Sequence, residues 1–185
     1  MDSKIKYILF SIIFVLVIIG VSRIYNVLNN VMQNTDFQNK TGQTQTTTLK
    51  QARDFTIYND KNEEINISSL KGKPIIINFW TTWCVYCKTE MDYFQELYNK
   101  YKDEAEFLMI NATMQDEKQE VYNYIKEKAY TFPVYYDING NAISAYKITG
   151  YPVTIFINKD FQINRTHQGM IDKETLQKNI NSILE

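Results

Sequence analysis

Pro74-Ile75-Ile76-Ile77-Asn78-Phe79-Trp80-Thr81-Thr82-Trp83-Cys84-Val85-Tyr86-Cys87-Lys88 opens as a near-continuous apolar run and ends on two cysteines separated by two residues. Such a run reads as a strand buried on both faces at the centre of a sheet. The next segment, Cys84 to Lys102, reads as a helix, because Met91, Phe94, Leu97, Tyr98 and Tyr101 recur at helical spacing. Strand, short turn and helix, with the cysteines at the junction, point to an α/β domain. Cys84 and Cys87 are the only cysteines in the chain. At this spacing two thiols can close on each other with little backbone movement, which is what a dithiol cycling between reduced and disulfide forms requires. No third cysteine is present to form a separate structural bridge.

Outward from this stretch, strand-like and helix-like segments alternate. Phe55 to Tyr58 and Glu64 to Ile67 form a predicted hairpin around Asp60-Lys61-Asn62. Phe107 to Asn111 is the next strand, Glu117 to Lys128 the next helix and Val134 to Asp137 a short strand, with a turn at Asn139-Gly140. Pro152 to Ile157 and Gln162 to Thr166 pair across Asn158 to Phe161 as a second hairpin. A last helix starts at Asp172, a good N-cap residue, and turns Leu176, Ile180, Ile183 and Leu184 inward.

The N-terminus differs in kind. Tyr7 to Val21 runs without a charge and is built almost wholly from Ile, Leu, Val and Phe, which reads as a membrane element. Lys4 and Lys6 before it and Arg23 after it favour a cytoplasmic N-terminus, so the bulk of the chain would lie outside. Residues 1–28 are therefore expected to be a membrane anchor; a signal peptide cleaved after Gly20-Val21-Ser22, giving a secreted protein, is the alternative. Residues 29–49, rich in Asn, Gln and Thr, read as a polar linker reaching on the order of 25 Å. Residues 50–185 are the expected extracytoplasmic domain. The net charge is -1 and no basic patch stands out, which argues against a nucleic-acid partner. In an oxidising compartment, a protein with two cysteines uses them for chemistry rather than for stapling.

A cysteine in the first turn of a helix faces backbone N–H groups and the positive end of the macrodipole, both of which favour thiolate. Cys84 is thus the expected nucleophile. Cys87, about a turn further in, is the expected resolving thiol. Glu90, three residues beyond Cys87, has two readings. It is either a partly buried carboxyl exchanging the proton that Cys87 must lose and regain, or a surface glutamate favoured by the helix dipole.

Phe79 to Lys88 resembles the active-site segment of thioredoxin-fold proteins, and residues 50–185 are similar to the TlpA/ResA group of membrane-anchored extracytoplasmic thioredoxins. The resemblance rests on Leu70-Lys71-Gly72-Lys73-Pro74 leading into the central strand, on Asn78 where cytoplasmic thioredoxins carry a buried aspartate, on Glu90, and on Gly150-Tyr151-Pro152-Val153-Thr154. It implies a thioredoxin fold with an N-terminal β-hairpin extension and a central strand-helix insertion around residues 107–137, preceded by one transmembrane helix. It implies a cis bond before Pro152 and a docking surface made by Trp83, Tyr151 and Pro152. It further implies a thiol-disulfide oxidoreductase with catalytic Cys84, Cys87 and Glu90, needing no metal or organic cofactor beyond the Cys84–Cys87 disulfide itself. Its partners would be a membrane-embedded thiol electron donor and disulfides in exported proteins, such as apocytochrome c or a methionine sulfoxide reductase. Tyr86 departs from the group, which usually has proline there. Because the residues between the cysteines influence redox poise, the direction of electron flow stays open.

Rival chemistries fit less well. Zinc needs two donors beyond the cysteines, and the chain has one histidine, His167. A c-type haem needs histidine where Lys88 stands. Thiol peroxidases share the fold, and Thr81 is spaced from Cys84 as in their motif, but that motif needs proline where Ile77 stands. A disulfide-forming thiol oxidase would use the same residues at a higher potential, and a non-catalytic peptide-binding adaptor would not need both cysteines.

Overall fold

The structure, a computed structural model, describes residues 16–28 and 49–185. Residues 16–28 are helical (α1) and expose Leu16, Val17, Ile19, Val21 and Ile24. Most of the expected anchor and nearly all of the expected linker lie outside the described residues. Among those described, no helix is long and apolar enough to cross a membrane.

The described residues from Leu49 onward belong to a unit of their own. Its eight strands are β1 (Lys50–Gln51), β2 (Thr56–Tyr58), β3 (Glu64–Asn66), β4 (Ile75–Trp80), β5 (Glu106–Asn111), β6 (Val134–Tyr136), β7 (Val153–Ile157) and β8 (Gln162–Gln168). They make one sheet in the order β1-β8-β7-β4-β5-β6-β2-β3. The helices are α2 (Val85–Tyr101), α3 (Lys118–Lys128), α4 (Asn141–Tyr146) and α5 (Lys173–Leu184). β4, β5 and β6 run parallel, which requires the crossovers that α2 and α3 supply. β7 joins the other side of β4 antiparallel. This is the thioredoxin-like α/β fold. The predicted hairpin is β2–β3, with Thr56 opposite Asn66, at the far edge. β6, in the predicted insertion, connects that hairpin to the rest of the sheet.

Every residue of β4 is buried, as its apolar run requires of a strand covered on both faces. Period-2 alternation divides it. Ile75, Ile77 and Phe79 join the core with Leu108, Ile110, Ile155 and α4's Ala142. Ile76 and Trp80 join the opposite core with Met91, Phe94 and Leu97 of α2, Val121 of α3 and Leu176, Ile180 and Ile183 of α5. Asn78 takes the polar place on this second face, pointing at α2. Burying Trp80, Phe94, Phe107 and Phe156 completely stabilises the domain by roughly 2–3 kcal/mol per side chain. The ends of β4 and α2 are thereby anchored where they meet, which is the site.

Two elements had no sequence signal. β1 is two residues long and exists through its pairing with Gln162 and Ile163 of β8. α4 follows the expected Asn139-Gly140 turn; Asp137 caps it by accepting from the N–H groups of Ala142 and Ile143 at 3.2 and 2.9 Å. Asp137 is itself buried, and desolvation raises its pKa.

Candidate active site

Cys84 is the N-cap of α2, in extended conformation, and Cys87 lies in its first turn. The two are joined in a disulfide with Cα atoms 5.3 Å apart. The Cys87 N–H donates to Cys84 Sγ at 3.1 Å, so the sulfur occupies the place a capping oxygen takes in other helices. A thiolate formed there faces N–H donors and the positive end of a 17-residue helix. Cys84 is 7% exposed and Cys87 fully buried, the inequality that an attacking and a resolving thiol need. Beside them Val85 and Tyr86 are exposed, so the residue that replaces the group's proline adds an aromatic ring to the surface around the disulfide.

Glu90 is fully buried, which removes the surface-glutamate reading and goes beyond the expected partial burial. It belongs to the inward stripe Cys87, Glu90, Met91, Phe94, Leu97 and Tyr101. Its Oε1 accepts from Asn78 Nδ2 at 2.7 Å, and its Oε2 from the Ile171 N–H at 2.8 Å. Desolvation pushes its pKa up to about 7, against the lowering effect of those two hydrogen bonds. Asn78 Nδ2 also reaches Thr154 Oγ1, its cross-strand neighbour, at 3.2 Å, while Asn78 Oδ1 is buried without a partner. A carboxyl that titrates near neutrality thus lies one helical turn beyond Cys87 on the same face.

The Tyr151–Pro152 bond is cis, the geometry that the resemblance implied. Trp83 is 58% exposed and packs edge-to-face on Tyr151, with ring centroids 5.9 Å apart. The Trp83 indole N–H donates to the Gln115 carbonyl at 3.0 Å, and the Tyr151 hydroxyl donates to Gln115 Oε1 at 3.4 Å. Gln115, absent from the sequence reading, therefore links the cysteine side of the site to the proline side. Asp116, also missed, accepts hydrogen bonds from Thr82, two residues before Cys84. Neither gave a signal in the sequence, because both are polar loop residues whose partners are distant in the chain. Trp80 is core, as expected. His167 sits half-buried on β8 with Nε2 3.1 Å from the Met170 carbonyl oxygen. Among the described residues no three His, Cys, Asp or Glu side chains are grouped to hold a metal.

A disulfide-forming pair at the N-terminus of the helix after the central strand, with a cis-proline in the same domain, defines a thiol-disulfide oxidoreductase of the thioredoxin fold. The AhpC/TSA family model matches residues 35–166. The thiol-disulfide oxidoreductase ResA of Bacillus thuringiensis subsp. konkukian (strain 97-27) is 33% identical over 135 residues, covering 72% of this chain and 77% of its own. The crystal structure of StoA from Bacillus subtilis superposes with a TM-score of 0.61 at 29% identity, covering 69% of this chain and 96% of StoA. The exposed lipoprotein thioredoxin Etrx1 of Streptococcus pneumoniae strain TIGR4 shares the fold, with a TM-score of 0.62 at 23% identity over 70% of this chain and 99% of its own. The chain belongs to the AhpC/TSA family and, within it, to the ResA-like thiol-disulfide oxidoreductases.

Proposed function

We propose that this protein reduces disulfides in exported proteins, working outside the cytoplasm on an N-terminal membrane tether. The observation that carries this reading is the pairing of a helix-capping Cys84 with a buried Glu90 one turn beyond Cys87. In the reduced protein the Cys84 thiolate attacks a substrate disulfide, forming a mixed disulfide and expelling one substrate thiolate. Glu90, as carboxylate, takes the Cys87 proton. The Cys87 thiolate then attacks Cys84 Sγ, closes the Cys84–Cys87 disulfide and expels the second substrate thiolate. Two electrons pass from the dithiol to the substrate, and a membrane-embedded thiol donor restores the reduced pair. Trp83, Tyr151 and Pro152 form the docking surface. The electrons reside in the two sulfurs, so the cycle needs no metal or organic cofactor.

The exposed apolar side chains of α1 support the tether, since such a surface is stable in lipid and a liability in water. Residues 1–28 would then be the anchor, 29–49 the linker and 50–185 the working domain. The peroxidase alternative is disfavoured because Ile77, mid-strand in β4 between β5 and β7, stands where that motif needs proline. The oxidase reading remains the second choice, because Tyr86 replaces the proline that the TlpA/ResA resemblance leads one to expect between the cysteines.

The direct test is reduction of a peptide disulfide by the dithiothreitol-primed full chain in detergent. Turnover by wild type and none by Cys84→Ser is expected. Undiminished turnover by Cys84→Ser would refute dithiol chemistry. Membrane fractionation with intact-mass analysis tests the tether, an uncleaved, membrane-bound chain being expected.

A further inference from the structure

Thr81 to Trp83 carries the chain from the end of β4 to Cys84, and both hydrogen-bonding groups of Thr82 that can donate end on one carboxylate. The Thr82 N–H donates to Asp116 Oδ2 and its hydroxyl to Asp116 Oδ1, each at 2.6 Å. Asn111 Nδ2 donates to the same Oδ2 at 2.8 Å and the Glu117 N–H to Oδ1 at 2.9 Å. These donors fill the roughly four acceptor positions a carboxylate offers, and charge-assisted bonds to a carboxylate are among the strongest available to a loop. Asn111 is fully buried at the end of β5, and its Nδ2 also lies 3.4 Å from the Trp80 carbonyl. One half-buried side chain thus joins the ends of β4 and β5, the start of α3 and the segment before the nucleophile. Its neighbour Gln115 holds Trp83 and Tyr151.

We propose that Asp116 is a positioning residue for the redox centre, clamping Thr82 so that Cys84 is held as the N-cap of α2 while the adjoining Gln115 fixes Trp83 and Tyr151. Asp116 touches no reacting atom. It acts through Thr82 on the place of Cys84, and a thiol that drifts from the cap loses the N–H groups that favour its thiolate. The inference rests on Cys84 being the attacking thiol.

The test is the rate of iodoacetamide alkylation of the reduced full chain in detergent across pH 5 to 10, with the modified cysteine identified by mass. Asp116→Ala and Thr82→Val should each shift the titration midpoint to higher pH by about one unit and so slow alkylation at pH 7 roughly tenfold, in proportion to the thiolate lost. The double variant should be no slower than the slower single, because the two residues act as one unit. Thr82→Ser, which keeps both donors, should behave as wild type; it also carries the test against Thr82→Val should Asp116→Ala fail to fold. Wild-type rates in folded Thr82→Val and Asp116→Ala would overturn the proposal. So would multiplicative effects in the double variant, or a midpoint moving to lower pH in Asp116→Ala, which is what loss of a nearby negative charge alone gives. Alkylation of Cys87 rather than Cys84 in the wild type would instead refute the attacking-thiol assignment, and the clamp with it.

Discussion

Glu90 Oε1 lies 2.7 Å from Asn78 Nδ2, and neither residue is reached by solvent. Asn78 faces α2 because alternation along β4 turns it, with Ile76 and Trp80, toward that helix, and Glu90 faces β4 because it shares the stripe of Cys87 and Met91. A polar pair is thereby sealed between strand and helix beside the dithiol. Burial raises the folded-state pKa of Glu90 to about 7 from an ordinary 4.5. The stability associated with the neutral acid is complete below about pH 4.5 and is lost as pH rises to about 7. The shift corresponds to something on the order of 3 kcal/mol.

Glu90→Gln should therefore be more stable than wild type at pH 8, by on the order of 1–3 kcal/mol, with the difference shrinking toward pH 5. Its amide NH2 can face Asn78 Oδ1, which has no partner in the wild type. Thermal unfolding of both proteins at several pH values measures this. A pH-independent difference would show that Glu90 does not titrate in this range.

The same substitution should slow the resolving step. In wild type, closure of the mixed disulfide should accelerate as pH rises through about 7, when Glu90 becomes a base. In Glu90→Gln it should be about ten- to a hundredfold slower at pH 7 and lack that inflection, as stopped-flow single turnovers would show.

Cys87→Ser should trap partners. With the resolving thiol gone, Cys84 remains linked to its substrate, and non-reducing electrophoresis of a membrane extract should show discrete thiol-sensitive adducts. Cys84→Ser should give none. Equal trapping by both variants would exchange or erase the two roles.

Trp83→Ala should raise KM for a protein disulfide several-fold more than for a small disulfide, leaving kcat for the small one nearly unchanged. Trp83 is exposed and bound to the Gln115 carbonyl and the Tyr151 ring, so its loss opens the docking surface without emptying the core. The stability cost should stay near ~1 kcal/mol.

Much of this was legible in the sequence where periodicity is strong. The run to Trp80 is the central strand it reads as, and α2, α3 and α5 each begin one residue after their expected starts at Cys84, Glu117 and Asp172; inward stripes mark α2 and α5, whereas α3 buries only Val121 and has no side-chain cap. β1 and α4 are too short to show a period, and their stability comes from β8 and Asp137 rather than from their own residues. The site was half legible. Cys84 and Cys87 announce themselves, and the burial of Glu90 could have been read from its place between Cys87 and Met91 in the apolar stripe. Gln115 and Asp116 could not, because their partners Trp83 and Thr82 lie across the fold and nothing in a loop's composition encodes that contact.

The reduction potential of the Cys84/Cys87 couple tests the proposed reductase most directly. Equilibration of the full chain in detergent against dithiothreitol or glutathione buffers would give it. A value near or below that of glutathione, roughly -230 mV or lower, is expected of a reductase fed with electrons through the membrane. A value near about -120 mV would mean a disulfide-forming oxidant and contradict the assignment.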